Sequence, residues 1–380
     1  MKILYITPWR PSLTNGGGLH CYANLRSICN YPDVKIDYIG PSFDYDLPGI
    51  YRNKFLNIIS RDYSVKDKMI AAINRVPTSL IALFKEFIRK YPIKKYDFIF
   101  VESTKCGFIF KYLKHSNKII CNIHNVESDY FKANTKGIKR LIYKYIFNSE
   151  KTTLNYCNVA LIMHNFDRLR LKNLYSIKDT HLKFILHPVC SFPPNLPLVP
   201  FDKREKIILF IGSLDINFNE IGLRKFVNHC WPDLINFGYK LQVAGRNPSA
   251  KLVNFLSKRK NIEVFANPLN METILRKARM IILPDLTGTG MKLRVAKALS
   301  IGVPVIGTKK GLKGYSNISD FGVEVNNISE MTYAIKKLVY NEDKLSALSF
   351  NAYKIWKEKY SFEVFCKRLQ SILKKTLNNK

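Results

Sequence analysis

PDLTGTGMKLRVAKALSIGVPVIGT, residues 284–308, reads as loop, helix, loop and strand. Gly288 and Gly290 bracket a turn where backbone can approach a ligand, because glycine has no Cβ to hold it off. Met291 to Ser300 follows as a helix with Leu293, Ala296 and Leu299 on one side. Gly302 stops it, and Val303-Pro304-Val305-Ile306 is a short apolar strand. A glycine turn opening a helix presents unpaired N–H groups to an anion, and the helix dipole adds to the pull. Lys292 and Arg294 fall in the expected first turn, where that dipole disfavours cations. Two cations there point to a bound negative group. Taken alone, the same pattern also fits a buried αβ unit with solvated basic residues.

Outward from this unit, the chain reads as two α/β halves. Lys2–Thr7 is a strand, Trp9–Gly18 a loop ending in Gly16-Gly17-Gly18, and a helix runs from about Leu19 to Cys29. Strand, glycine loop, helix is the arrangement that places ligands at the carboxyl ends of parallel strands. Further strands are expected at Val34–Ile39, Phe98–Val101, Ile119–Ile123 and Ala160–Met163. HPVCSFPPNLPLVPFDK, residues 187–203, carries five prolines and reads as a linker. The second half restarts at Ile207–Ile211, with a helix near Ile221–Cys230 and strands at Lys240–Ala244, Ile262–Phe265, Met280–Leu283, Val303–Ile306 and Gly322–Val325. Helices near Glu330–Val339, Lys344–Lys357 and Phe362–Leu377 close the chain.

A chain of 380 residues has room for two domains with a core each, and 47% hydrophobic residues exclude general disorder. No apolar run reaches the roughly 18–20 residues that span a bilayer, and MKILYIT runs into Pro8 as a strand rather than a signal peptide. Eight scattered cysteines, with no CxxC pair and no zinc spacing, read as reduced thiols of a cytoplasmic protein. The net charge is +32. Nucleic acid is one partner such a balance suggests, but no nucleic-acid motif appears and the lysines are spread along the chain. An anionic membrane is another. Lys66–Lys95 and Lys132–Lys151 fit basic amphipathic helices lying in an interface, or helices packed on a sheet. In the second segment Lys139, Arg140 and Lys144 interleave with Leu141, Ile142, Tyr145, Ile146 and Phe147.

Four stretches together resemble one family. They are GTGMKLRVAKALSIGVPVIGTKKGLKG (288–314), FIGSLDINFN (210–219), VAGRNPS (243–249) and CNIHNVE (121–127). In the same order they resemble the donor loop GSG-x-x-LK-x-x-EALA-x-G-x-PVV-x-T, the GS-x-D-x-x-x-N loop, the strand-end glycine loop and the HN-x-E motif of family-four, retaining GT-B glycosyltransferases of the capsule and lipopolysaccharide type. The resemblance implies two Rossmann-like domains facing a central cleft, the acceptor on residues 1–190 and the donor nucleotide on 204–357. It also implies a helix within 358–380 that crosses back to the first domain.

The resemblance further implies a nucleotide-diphosphate sugar as donor, a glycan or lipid-linked saccharide as acceptor, no cofactor and no metal. Gly212, Ser213, Asn219, Gly245, Arg246, Gly288, Thr289, Gly290, Met291, Lys292, Leu293 and Arg294 would hold the donor and its phosphates. Gly17 and Gly18 would admit the diphosphate or acceptor, unless they form only a flexible turn. Arg246 follows a strand and a glycine, so its guanidinium can fork onto a diphosphate. Arg246 and Arg294 would stabilise the leaving group, and His124 would lie against the donor sugar. Glu102, Glu127 and Asp285 are candidate acceptor or sugar contacts; Ser103 or Thr104 capping a helix is an equal reading of the VEST stretch. Asn219 also reads as a helix cap. Two positions depart from the pattern. Lys297 stands where the family has the ribose-holding glutamate of EALA, and Thr289 where many relatives have an acid.

The expected function is sugar transfer in surface polysaccharide synthesis, at the cytoplasmic face of the membrane. A sugar-nucleotide epimerase would need cleft carboxylates, of which few candidates stand out. A dinucleotide-dependent oxidoreductase would need GxGxxG directly after its first strand. A non-catalytic nucleotide-sugar-binding protein is the rival that Lys297 keeps open.

Overall fold

The computed structural model describes residues 1–13, 16–91, 93, 96–113, 118–135, 137–177, 182–288 and 290–378. Its contacts divide the chain into Met1–Pro188 with Phe365–Lys380, and Val189–Val364.

The first unit carries β1 (Lys2–Ile6), α1 (Gly16–Cys29), β2 (Lys35–Gly40), β3 (Phe55–Ser60), α2 (Val65–Ile73), α3 (Leu80–Lys90), β4 (Phe98–Val101) and β5 (Ile119–Ile123). It continues through α4 (Glu127–Asn134), α5 (Tyr143–Tyr156), β6 (Val159–Ile162), α6 (Asn165–Tyr175) and β7 (Lys183–Leu186). Its strands are all parallel, in the order β3-β2-β1-β4-β5-β6-β7. The central strands β1, β4, β5 and β6 are almost wholly buried, which is why they read as unbroken apolar runs. The two edge strands β3 and β7 are half exposed and mix polar with apolar residues, so no apolar run announces them.

The second unit carries β8 (Ile207–Ser213), α7 (Asn217–His229), α8 (Trp231–Leu234), β9 (Lys240–Arg246), α9 (Ala250–Ser257), β10 (Ile262–Ala266) and α10 (Met271–Leu275). It continues with β11 (Met280–Leu283), α11 (Leu293–Ser300), β12 (Val305–Thr308), β13 (Gly322–Val325), α12 (Glu330–Val339) and α13 (Glu342–Ile355). Its parallel sheet runs β10-β9-β8-β11-β12-β13. The last helix, α14 (Phe362–Asn378), starts in this unit and from Phe365 packs with the first. In both sheets the strand order reverses beside the first strand, between β1 and β4 and between β8 and β11. At such a switch point neighbouring connections leave in opposite directions and open a crevice at the strands' carboxyl ends.

Three local expectations change. The triple glycine is not a loop: α1 begins at Gly16, so Gly16, Gly17 and Gly18 form its first turn. The helix expected from Met291 begins at Leu293, with Lys292 as its N-cap, and β12 starts only beyond Pro304, which has no N–H for a ladder. Neither basic segment is a single helix. Residues 66–95 break between α2 and α3, where Arg75 adopts φ +54° ahead of Pro77. Residues 132–151 pass from α4 through a 3₁₀ turn, Gly137–Ile142, into α5. There Ile146 is buried and Phe147 packs on the first unit's core, while Ile142 stays exposed. The side chains of Lys139 and Leu141 lie outside the described part of the molecule.

Candidate active site

In the second unit the site is built from the ends of β8 and β9 and the start of α11. Gly212 and Ser213 pair in register with Gly245 and Arg246. The two backbones approach so closely that a Cβ on Gly245 would stand 1.9 Å from the Gly212 carbonyl oxygen. Arg246 donates from Nη2 to Ser213 Oγ at 3.1 Å, and Asn219 Nδ2 donates to the Ser213 carbonyl at 2.8 Å. Asn219 therefore ties the first turn of α7 to the strand end; the expected cap is not formed, because Ile216 holds the N-cap position and no side chain caps there.

Arg294 reaches the same place from α11. Its Nη1 donates to the Ile211 carbonyl at 2.9 Å and lies 2.9 Å from where a Cβ of Gly212 would be. Its Nη2 is paired with the carboxylate of Asp285, which is 2% exposed. Asp285 thus serves as the buried counter-ion of Arg294, and the expectation that it meets sugar directly gives way to that role. Gly288 at φ +118° and Gly290 at φ +71° make the expected turn in a conformation that favours glycine. Lys292 Nζ lies 2.9 Å from where a Gly288 side chain would begin and over the ring of Phe218. Met291 is buried, and Leu293 opens the helix. Thr289 lies outside the described residues. Arg246 and Arg294 thus meet at the same strand ends, with Lys292 by the neighbouring glycine turn, and the one acid seen paired with them among the described residues is Asp285, an arrangement that suits an anion.

Tyr315 escaped the sequence reading. Its hydroxyl accepts from the Ala296 N–H at 3.1 Å and donates to the Lys292 carbonyl at 2.9 Å, inserting itself into the first hydrogen bond of α11. Lys297, one turn on, pairs at 3.3 Å with Glu272 of α10, a buried acid that also accepts from the Leu196 N–H.

In the first unit His124 sits just past β5, 6% exposed, with Trp9 tilted against it at 6.3 Å between ring centroids. Its Nε2 lies 2.8 Å from Glu102, which directly follows β4 and is fully buried. Glu102 accepts four hydrogen bonds, from Tyr5, Asn24, Asn122 and His124. No carboxylate oxygen is left over for an acceptor, so the expected acceptor contact at Glu102 is corrected to an internal one. Burial pushes this carboxyl up, but the hydrogen bond from His124, with that of the Tyr5 hydroxyl, outweighs burial and holds it down at about 2. Glu127 is buried too, bound to Lys105 Nζ at 2.9 Å, and Lys105 in turn covers Trp9. The backbone of the HN-x-E stretch is held by Glu150 of α5, which accepts from the N–H groups of Glu127 and Ser128. Ser103 is held at φ +139°, a strained conformation for a residue with a Cβ.

Two more histidines surround this group. His20 on α1 packs edge-on to His124 at 5.1 Å and to His187 at 5.9 Å. Burial, with the neighbouring His124 adding to it, lowers His20 to about 3, and burial lowers His187 well below the usual range. Gly17 and Gly18 lie one turn before His20 in the same helix. Among the described residues, Cys21, Glu102 and His124 form one group whose ligand atoms all lie within 4.8 Å, a spacing that a metal ion would fit. The Glu102–His124 hydrogen bond already spans it.

Residues 205–341 match the family model described as Glycosyl transferases group 1. The chain is 24% identical over 339 residues to the UDP-Gal:alpha-D-GlcNAc-diphosphoundecaprenol alpha-1,3-galactosyltransferase of Escherichia coli, covering 82% of this chain and 80% of that one. Its fold is similar to sucrose-phosphate synthase from Thermosynechococcus elongatus, with a TM-score of 0.73 at 14% identity over the whole of both chains. It is similar as well to WaaG, a glycosyltransferase involved in lipopolysaccharide biosynthesis, with a TM-score of 0.70 at 12% identity over 97% of this chain and 99% of that one.

Proposed function

We propose that this chain, which has the GT-B glycosyltransferase fold and carries a glycosyl transferases group 1 domain at residues 205–341, moves a sugar from a nucleoside-diphosphate donor to a lipid-linked saccharide with retention of configuration. The observation that carries the reading is the cationic strand-end cradle of Ser213, Arg246, Lys292 and Arg294. In the proposed step the bond between the sugar C1 and the leaving phosphate oxygen breaks as the acceptor hydroxyl oxygen bonds C1 on the same face. The hydroxyl proton passes to the departing diphosphate, so no enzymic base pair of the hydrolase type is called for. Arg246, Lys292 and Arg294 stabilise the charge that develops on that diphosphate, and fixed cations of this kind need no metal. His124 lies against the donor sugar. Transfer therefore persists in EDTA.

The relative's name gives UDP-galactose as its donor and a diphosphoundecaprenol saccharide as its acceptor, which makes UDP the first nucleotide to try and supports a cytoplasmic, membrane-surface setting. The net charge of +32 supports attachment to an anionic leaflet. So does α2, on which Val65, Met69 and Ile73 are 59–77% exposed, spaced one helical turn apart, and flanked by exposed Lys66 and Lys68.

A panel of nucleoside diphosphates, read by thermal shift, tests the reading. A ligand at 100 times its Kd stabilises by about 2.7 kcal/mol. No shift with any of them, together with no donor hydrolysis, overturns it. Nucleotide binding without hydrolysis or transfer favours a second reading, a nucleotide-sugar-binding protein. That reading is motivated by Lys297, whose ammonium stands in place of the family's ribose carboxylate.

A further inference from the structure

The Glu102 carboxylate is an odd possession for the first unit. It is fully buried, remains ionised, and spends all its acceptor capacity on four side chains. Tyr5 and Asn24 bond Oε1 at 2.6 and 2.8 Å, while Asn122 Nδ2 and His124 Nε2 bond Oε2 at 2.7 and 2.8 Å. A neutral imidazole carries its proton on one nitrogen only, and what faces each nitrogen decides which.

Two groups compete for Nε2 of His124. The Asn122 amide nitrogen, 3.2 Å away, favours a lone pair there; the carboxylate, 2.8 Å away, favours a proton. The carboxylate is closer and ionised, and charge-assisted hydrogen bonds are roughly twice as strong as neutral ones. It wins, and Asn122 donates to the carboxylate instead. Nδ1 of His124 is not among the buried atoms left without a partner, and the ring keeps a sliver of exposure.

We infer that Glu102 is the positioning residue of His124: it holds the proton on Nε2 and so leaves Nδ1 as an acceptor for a hydroxyl of the donor sugar. The last clause rests on the glycosyl-transfer reading; the proton placement does not.

Glu102→Gln provides the test, because its chemistry forces a choice. Tyr5 and Asn24 both donate, so the new amide keeps its oxygen toward them and turns its NH₂ toward His124 and Asn122. Asn122, whose Nδ2 faces Oε2 and whose carbonyl is buried without a partner, turns its amide over to accept from that NH₂. Nε2 of His124 then becomes the acceptor and the proton moves to Nδ1. In ¹⁵N-histidine-labelled protein, with His124 assigned by loss of its signal in His124→Gln, the wild type shows the Nε2–H tautomer and Glu102→Gln the Nδ1–H form. Transfer, as kcat/KM, falls at least about tenfold, the scale on which outer partners of functional histidines act. UDP affinity is unchanged, and Glu102→Asp, which keeps a carboxylate, recovers the Nε2–H signal. A wild-type Nδ1–H tautomer, a ring protonated on both nitrogens at about pH 7.5, or a tautomer that Glu102→Gln leaves unmoved, overturns the assignment. If Glu102→Gln does not fold, the wild-type spectrum decides alone. An Nε2–H wild type that turns over no donor leaves the positioning standing and sinks the transfer reading instead.

Discussion

Arg294 is both a ligand-binding candidate and half of a buried ion pair, and the two roles make different demands on a mutant. In the proposed donor complex, removing either Arg246 or Arg294 would delete a charge-assisted contact worth about 1.5–3 kcal/mol to the diphosphate. Arg246→Ala and Arg294→Ala are each expected to weaken UDP binding on the order of tenfold to a hundredfold by calorimetric titration; unchanged affinity in both would sink the cradle. Arg294→Ala also strands the Asp285 carboxylate, and breaking a buried pair costs roughly 3–5 kcal/mol of stability. The double variant with Asp285→Ala is therefore expected to regain stability without regaining affinity. His20 carries a second residue-scale expectation. Its pKa is about 3 in the folded protein against 6.5 ordinarily, so between those values the unfolded chain holds a proton that the folded one lacks. Stability then falls as pH drops through that window, by up to about 1.4 kcal/mol per pH unit, and His187 acts in the same direction. Urea titrations at about pH 7.5 and about pH 5.5 are expected to show a smaller gap in His20→Phe than in the wild type. An equal gap would mean that His20 is not held neutral.

At the scale of elements, α11 owes its start to a residue in the loop beyond the next strand. Tyr315→Phe removes a hydroxyl that serves both ends of one opened helix bond, so the variant is expected to lose about 1 kcal/mol of stability and to bind UDP more weakly. Native stability with native affinity would show that the cradle does not depend on this insertion. No spacing rule could have named Tyr315, because its role comes from the loop after β12 folding back. What the sequence did make legible follows the same physics. Buried central strands announce themselves as apolar runs, and the glycines at 288 and 290 mark a turn by their backbone freedom. Edge strands β3 and β7 lack such runs, and glycine in a first helical turn looks like loop, which hides the true start of α1 at Gly16. Glu102 and Asp285 were found as polar residues past strand ends, but sequence offers no sign of which way a carboxylate points, and both point inward. The apolar stripe of α2 falls in a segment whose sequence pattern fits one longer amphipathic helix. Since it stands exposed, Met69→Glu with Ile73→Glu is expected to weaken binding to anionic vesicles, and wild-type binding to fall with salt as the Debye length shrinks from about 8 Å. Equal binding to neutral vesicles, or none to either, would assign the positive charge to another partner.

At the scale of the whole molecule, the first unit is assembled from two stretches of chain that lie far apart in sequence. From α14 it receives Phe365, Leu369, Ile372 and Leu373, all 5% exposed or less, with Phe365 set 4.0 Å from the ring of His187. Tyr31 bonds the carbonyl of Gln370, and Lys118 closes the helix end on Thr376 and Leu377. A ribosome makes Met1–Pro188 first, then all of Val189–Val364, and only afterwards the segment that completes the first unit. At about 5–20 residues per second the interval is roughly 10–35 seconds. Through it the nascent chain carries an uncovered apolar face beside His20 and His187, while the later-made unit, being continuous, can close on itself. The first part synthesised is thus the last to be finished, and a messenger cut short after Val364 would yield a protein with one whole unit and one standing open, a substrate for chaperones and proteases rather than for sugar.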